Sequence, residues 1–317
     1  MTTTAHTSQL IVPPPLRQGS RIELVSPSGA VEQAHVTGAA KVLSQWGYSP
    51  ELGAHCLDSY ADYGGLMPLG GTDAHRLADL KAALDEPLTR AVLCSRGGYG
   101  ALRLIHHLDT AAIKARPKWV IGFSDITALH ALIHHAGMMS VHGPMAKYLA
   151  THGAEDEAAK ALHGILDGTR WPCYTLPPHQ CNRHGQARAT MLGGNLAVLT
   201  ALVSTPYNMI EPGCILFIEN VGHSVSRVER MLITLDMAGI LPQLAGLAVG
   251  QLSTVSAQEQ EALEQMVARM TAPYDYPVAF GLPVGHVGPN MPLVEGAPTT
   301  LHVTASGAVL EQHRPDF

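Results

Sequence analysis

Short apolar runs alternate with amphipathic stretches from Arg21 onward, which is the sequence form of parallel strands joined by crossover helices. Residues 22–25, closed by Ser26-Pro27-Ser28-Gly29, read as a first strand and residues 31–45 as a helix. A second helix is expected at 73–85, with Leu77, Leu80 and Leu84 along one face. Strands at 91–94, 119–123 and 139–142 then alternate with helices at 101–108 and 126–135.

This order predicts an N-terminal doubly wound, flavodoxin-like parallel sheet. Between residues 164 and 188 the periodicity vanishes, and Pro172, Pro177 and Pro178 with Trp171 and Tyr174 point to an extended linker. The second half resumes with a helix at 195–203, a buried strand at 214–218 and a helix through Val228, Met231, Leu232 and Leu235. A strand at 244–249, a helix marked by Leu263, Met266, Val267 and Met270, a strand at 277–280 and a hairpin over 300–311 follow. The expected division is a tail at 1–16, an N-terminal α/β domain at 17–165, a linker at 166–186 and a smaller β/α domain at 187–317, with a cleft between the two domains.

Composition narrows the classes. The chain has 317 residues, 46% hydrophobic and 15% charged, a balance that excludes intrinsic disorder. Twenty Lys plus Arg, scattered against 26 Asp plus Glu, leave a net charge of −6, so no nucleic-acid partner is expected. The five cysteines form no C-x-x-C pair and read as reduced thiols. The Thr-rich start with Pro13, Pro14 and Pro15 lacks the basic and apolar segments of a signal peptide, so a cytoplasmic address is expected. Residues 237–258 carry no charge, but Pro242, Gln243, Gly246, Gly250 and Gln251 interrupt them; a helix end and a buried strand are expected there, not a membrane span.

In open parallel sheets the ligand crevice lies beyond the carboxyl ends of the strands. Ser124 follows a strand and opens a helix, as in a nucleophile elbow, although Ile126 replaces the last glycine of G-x-S-x-G; the alternative is a helix cap by Ser124 or Asp125. The loop Ser95-Arg96-Gly97-Gly98-Tyr99-Gly100 could cradle an oxyanion or phosphate, or simply form a tight turn. Glu219 ends an apolar strand, where a carboxylate is costly without a partner, and His286 closes another. If Glu219 orients His286 and His286 faces Ser124, the order Ser, Glu, His has the logic of a serine hydrolase triad; otherwise His286 is one structural histidine among 18. His130 and His134 lack the glutamate of a zincin helix, and Cys94 belongs to a buried strand, where thiols are inert.

Taken together, Ser95–Gly100 with Arg103-Leu104, Gly71-Thr72-Asp73, Gly122-Phe123-Ser124-Asp125-Ile126-Thr127, Gly193-Gly194-Asn195-Leu196, Thr205-Pro206-Tyr207, Phe217-Ile218-Glu219 and Gly281-Leu282-Pro283-Val284-Gly285-His286 resemble the LD-carboxypeptidase family of serine peptidases, which also contains the microcin C immunity peptidases. The resemblance implies a cytoplasmic hydrolase of peptidoglycan recycling that removes the terminal D-alanine from the diaminopimelate of murein tetrapeptides. It implies Ser124 as nucleophile, His286 as general base and then acid, Glu219 as the group fixing the imidazole, and the N–H groups of Gly98 and Asp125 as the oxyanion hole. It requires no metal and no cofactor. The expected partner is a small peptide with a free C-terminal carboxylate, for which Arg96 is the bidentate candidate; Tyr99, Gly194 and Asn195 are further candidate substrate contacts, and a homodimer is implied.

One segment departs from the murein-trimming pattern. Where Asp-Val-Gly-Glu is usual after the glutamate, this chain reads Asn220-Val221-Gly222-His223, which bears on substrate choice. An amidase of the same fold acting on peptidyl-nucleotide or acyl-sulfamoyl-adenylate substrates and a non-catalytic peptide-binding module are the rival readings.

Overall fold

A computed structural model describes residues 10–252 and 256–315. The expected alternation is present. In chain order the elements are β1 (Arg21–Val25), α1 (Gln33–Gln45), β2 (Ser49–Leu52), β3 (Tyr60–Asp62), β4 (Met67–Leu69), α2 (Asp73–Asp85), β5 (Thr89–Cys94), α3 (Thr110–Ala115), β6 (Trp119–Gly122), α4 (Thr127–His135), β7 (Ser140–His142), α5 (Ala146–His152) and α6 (Glu157–Asp167). The second half adds β8 (Cys173–Leu176), β9 (Gly185–Asn195), α7 (Leu196–Leu202), β10 (Ile215–Glu219), α8 (Val225–Met237), β11 (Gly246–Val249), α9 (Ala257–Thr271), β12 (Val278–Phe280), β13 (Leu293–Glu295), β14 (Pro298–Thr304) and β15 (Gly307–Gln312).

The first sheet runs β13-β7-β6-β5-β1-β2 and is parallel except for β13. The second runs β12-β11-β10-β9-β14-β15-β8, with β12 to β9 parallel and β14, β15 and β8 antiparallel. Strands such as β6 and β10 are buried along their whole length, which is why their sequences are continuous apolar runs. One hydrophobic core joins the two halves through α4 (Ala128, Leu129, Leu132) and α7 (Leu196, Leu199, Leu202), so the strand ends that carry the chemistry are held on one rigid body.

Four expectations are altered. The stretch at 101–108 folds as two 3₁₀ turns, Ala101–Arg103 and Ile105–His107, entered from Gly100 at φ 118° and ended by the extended Leu108, although Ala101, Leu104, Ile105 and Leu108 keep helical spacing and are buried. The expected linker contains β8, which pairs with β15; Tyr174 and Leu176 alternate inward over only four residues, a period too short to stand out between prolines. β13 returns to the edge of the first sheet, and Gly193 N donates to Glu295 Oε2 (3.1 Å), so the last third of the chain serves both sheets. Within the expected tail, Leu16 is buried and its N–H donates to Leu166 O (2.7 Å), while residues 1–9 lie outside the described residues.

Candidate active site

The turn after β6 is built around two conformational exceptions. Gly122 has no side chain, and a Cβ there would come within 2.8 Å of Ile126 Cγ2; this lets the following helix fold back against the strand. Ser124 then adopts φ 64°, a positive value that a non-glycine residue holds only when its surroundings impose it. A 3₁₀ turn, Ser124–Ile126, leads into α4. The strand, strained serine and helix have the shape of a nucleophile elbow.

Asp125 is the lock on this turn. Its buried Oδ2 accepts from Ser28 Oγ (2.6 Å) and from the N–H of Ala101 (2.8 Å), tying the elbow to the loops after β1 and β5. Burial raises its pKa, against the two hydrogen bonds that lower it. The carboxylate is occupied here, which leaves its backbone N–H, in the first turn after the elbow, as the group free to meet a ligand.

The glycine loop lies against the serine. A Cβ on Gly97 would sit 2.8 Å from Ser124 Cβ and 3.1 Å from its Oγ, and Gly98, at φ 129°, backs onto Gly29 N. Gly29 N donates to Gly97 O (3.3 Å), Ser95 Oγ shares a hydrogen bond with Ser26 Oγ (2.7 Å), and Arg76 reaches Pro27 O beside Gly100. The backbone bonds that hold the loop do not use the N–H of Gly98, and that residue is exposed.

The second sheet supplies a buried carboxylate and an imidazole. Glu219, at the carboxyl end of β10, is fully buried; its Oε2 accepts from His286 Nδ1 (2.8 Å) and its Oε1 from Asn195 Nδ2 (2.9 Å). With Nδ1 as the donor to this carboxylate, His286 Nε2 is left as the acceptor facing Ser124 Oγ at 3.2 Å. Gly285 lets the histidine loop pass close to Glu219, since a Cβ would fall 2.8 Å from Glu219 Cβ, and Asn290 Oδ1 holds the N–H of Gly285 (2.8 Å). Phe123 packs against the outer imidazole with ring centroids 5.0 Å apart.

Two of the expected substrate contacts have other tasks. Asn195 is buried: besides holding Glu219, its Oδ1 caps α7 through Val198 N (3.4 Å), and its own N–H donates to Thr127 Oγ1 (3.0 Å). Gly194, at φ 127°, lies against Thr127 Oγ1, where a Cβ would come within 2.6 Å. Both are buried, Asn195 against Glu219 and Gly194 against Thr127. Thr127, which joins the elbow helix to β9, has no signal in the sequence that would single it out. Arg96 donates Nη1 to Ala30 O (3.1 Å), and Tyr99 is exposed at the loop's edge with the Arg103 guanidinium over its ring, 5.4 Å from the centroid.

The remaining candidates fall away from the elbow's chemistry. His130 is buried between Ser140 Oγ (2.8 Å) and Gly122 O (2.9 Å), and burial lowers its pKa to about 4; His134 instead pairs with Glu211 (2.9 Å). Burial pushes the Cys94 thiol far up. Asn220, first of the departing segment, is buried and ties β10 to the chain after β11 through Gln251 O and Leu252 O, while its Oδ1 meets His223 Nδ1 (2.8 Å). Among the described residues no helix is long and apolar enough to cross a membrane, and the uncharged stretch at 237–258 forms the end of α8, β11 and the start of α9 around residues 253–255, which lie outside the described set.

Comparison with known proteins finds matches along most of the chain. Residues 22–143 match the family model described as the LD-carboxypeptidase N-terminal domain, and residues 188–301 match that of the LD-carboxypeptidase C-terminal domain. A putative carboxypeptidase of Synechocystis is 34% identical over 91% of this chain and 93% of its own length. The murein tetrapeptide carboxypeptidase of Pseudomonas aeruginosa is 31% identical over 85% of this chain and 89% of its own. The crystal structure of muramoyltetrapeptide carboxypeptidase from Oxalobacter formigenes superposes with a TM-score of 0.80 at 26% identity, covering 94% of this chain and all of that one.

Proposed function

Because the chain belongs to the LD-carboxypeptidase family of peptidases, we propose that it is a serine-type carboxypeptidase that cleaves the bond between meso-diaminopimelate and the terminal D-alanine of murein tetrapeptides. The observation that carries this reading is the continuous path Glu219 Oε2 to His286 Nδ1 (2.8 Å) and His286 Nε2 to Ser124 Oγ (3.2 Å). A serine hydroxyl is a poor nucleophile at neutral pH and needs a base within hydrogen-bond reach. His286 takes the hydroxyl proton as Oγ attacks the scissile carbonyl, then returns it to the departing amine of D-alanine. A water activated by the same imidazole hydrolyses the acyl-enzyme. Glu219, buried and anchored by Asn195, fixes the tautomer and stabilises the imidazolium formed in between.

The tetrahedral oxyanion is assigned to the N–H groups of Gly98 and Asp125, each worth roughly 100- to 1000-fold in rate. Arg96, with guanidinium donors left beyond its bond to Ala30, is assigned to the substrate's terminal carboxylate, and Tyr99 to the wall beside it. The reaction is assigned to the cytoplasm and to a homodimer, as the family resemblance implies. The test is to incubate the purified protein with L-Ala-γ-D-Glu-meso-diaminopimelyl-D-Ala and follow the loss of one alanine by mass spectrometry, with Ser124→Ala as control. Turnover of an aminoacyl sulfamoyl adenylate in place of the tetrapeptide would overturn the substrate while keeping the triad; persistence of cleavage in Ser124→Ala would overturn the triad.

A further inference from the structure

A second cluster of chemistry-bearing side chains lies apart from the triad, where the chain leaves β2 and enters α2. His55 and Asp58 stand three residues apart on one turn, and His75 lies in the first turn of α2. A single oxygen, Asp58 Oδ2, meets His55 Nδ1 at 3.1 Å and His75 Nδ1 at 2.8 Å, and the two imidazoles stack with centroids 4.0 Å apart and an interplanar angle of 16°. The three potential ligand atoms all lie within 4.8 Å of one another.

We propose that His55, Asp58 and His75 form a binding site for one divalent transition-metal ion of the zinc type, which staples the 55–58 turn to the start of α2. Two imidazole nitrogens and one carboxylate oxygen are the donor set of such borderline ions, whereas magnesium and calcium call for oxygen alone. Ligand atoms placed about 2.0–2.1 Å from a tetrahedral centre stand about 3.3 Å apart. The two nitrogen–oxygen separations, 2.8 and 3.1 Å, need to open by a few tenths of an ångström, and the stacked rings must turn on their exposed side so that both Nδ1 lone pairs meet at the ion.

The site is built before an ion arrives. Asp58 N donates to His55 O (2.9 Å), which closes the turn, and His55 N donates to Asp79 Oδ2 (2.9 Å), one helical turn beyond His75 on the same helix. Thr72 Oγ1 accepts from His75 N (3.2 Å), which fixes the helix start. Gly71, at φ 109°, allows the approach of the two halves, since a Cβ there would lie 3.2 Å from Asp58 Cβ and 3.4 Å from His75 Cβ. The backbone that carries the three ligands is therefore ordered in advance, and only the exposed rings need to turn on binding.

One carboxylate serves two imidazoles here, and a single divalent cation would engage all three side chains at once. The half-exposed rings leave the remaining coordination positions to water, so the ion is exchangeable. Its reach toward the elbow is structural: Gly70, next to Gly71, donates to Ser28 O (2.9 Å), and Ser28 holds Asp125. The inference stands independently of the peptidase reading.

The full-length, tag-free protein, stripped with a chelator, is titrated with Zn²⁺ by calorimetry and with Co²⁺ by visible absorption. One ion per chain is expected, with a rise in melting temperature on adding Zn²⁺. The variant His55→Gln/His75→Gln should bind at least about 100-fold more weakly, beyond the 10- to 100-fold typical of losing an outer-sphere partner, and should melt like the stripped wild type without metal. No saturable binding by the wild type, or equal binding by the double variant, overturns the proposal. Should the double variant fail to fold, Asp58→Asn, which keeps the side chain's shape, is read by the same criterion.

Discussion

Asn195 offers the sharpest test of how the base is held. Its Nδ2 donates to Glu219 Oε1 at 2.9 Å, and both groups are buried, so removing the amide leaves a buried carboxylate oxygen without its partner. A hydrogen bond to a charged group contributes about 1.5–3 kcal/mol, and the α7 cap through Val198 N adds about 1 kcal/mol. Asn195→Ala should therefore lose about 2–4 kcal/mol of folding stability by urea titration. If most of the Glu219 bond is expressed where the imidazolium forms, kcat should fall roughly 10- to 100-fold, at about 1.4 kcal/mol per factor of ten. KM should stay near the wild-type value, because the side chain lies beneath the cleft. Asn195→Ser separates the two contributions: the hydroxyl can still cap α7 but cannot reach Glu219, so stability recovers in part while kcat stays low. A raised KM with unchanged kcat would mean that Asn195 touches substrate and would refute the positioning role; an unchanged kcat and KM in both variants would refute the hydrogen bond itself.

Ser124→Ala and Ser124→Gly should both lose up to about a millionfold in kcat, yet the glycine variant should be the more stable of the two by about 1 kcal/mol, because φ 64° is costly for any side chain; equal urea midpoints would remove the strain from the account. Gly97→Ala should stay folded and lose roughly 100-fold in kcat, since the new methyl must displace a serine whose Cβ would be 2.8 Å away; wild-type rates would mean that the loop yields freely. His142 is buried with both ring nitrogens unpartnered beside Phe123 and Phe217, and burial first, then His130 and His286, hold its pKa well below the ordinary 6.5. The unfolded chain thus takes up a proton before the folded one as pH falls below 6.5, and stability is lost at about 1 kcal/mol per pH unit for this group. His142→Leu should lose stability less steeply than wild type between about pH 6 and 5; parallel curves would mean that the ring is charged or hydrated in the fold.

Much of this molecule is written locally. The buried strands β5, β6, β10 and β11 are largely apolar runs, and α2, α8 and α9 carry their apolar stripes at helical spacing, so each is decided by its own neighbours in the chain. The triad residues stand at strand ends for the same reason, and their spacing within known motifs made Ser124, Glu219 and His286 readable as a set. β8, β9 and β13 are different. They are short, or only half-buried along part of their length, and acquire strand geometry from partners such as β15, β14 and β7, far away in sequence.

The roles of polar residues divide along the same line. Residue types and their order already offer a hydroxyl, an imidazole and a carboxylate as candidates, because those three functions are intrinsic to the side chains, and the family resemblance joins them into the proposed triad. That Asn195 is buried against Glu219, that the Asp125 carboxylate ties the turn to Ser28 and Ala101, and that Thr127 joins α4 to β9 depend on which atoms the two sheets bring within hydrogen-bond distance. Hydrogen bonds act over about 3 Å and are blind to chain separation. Contacts such as the one spanning 162 residues from Ser124 to His286 exist only once the shared core of α4 and α7 has set the sheets against each other.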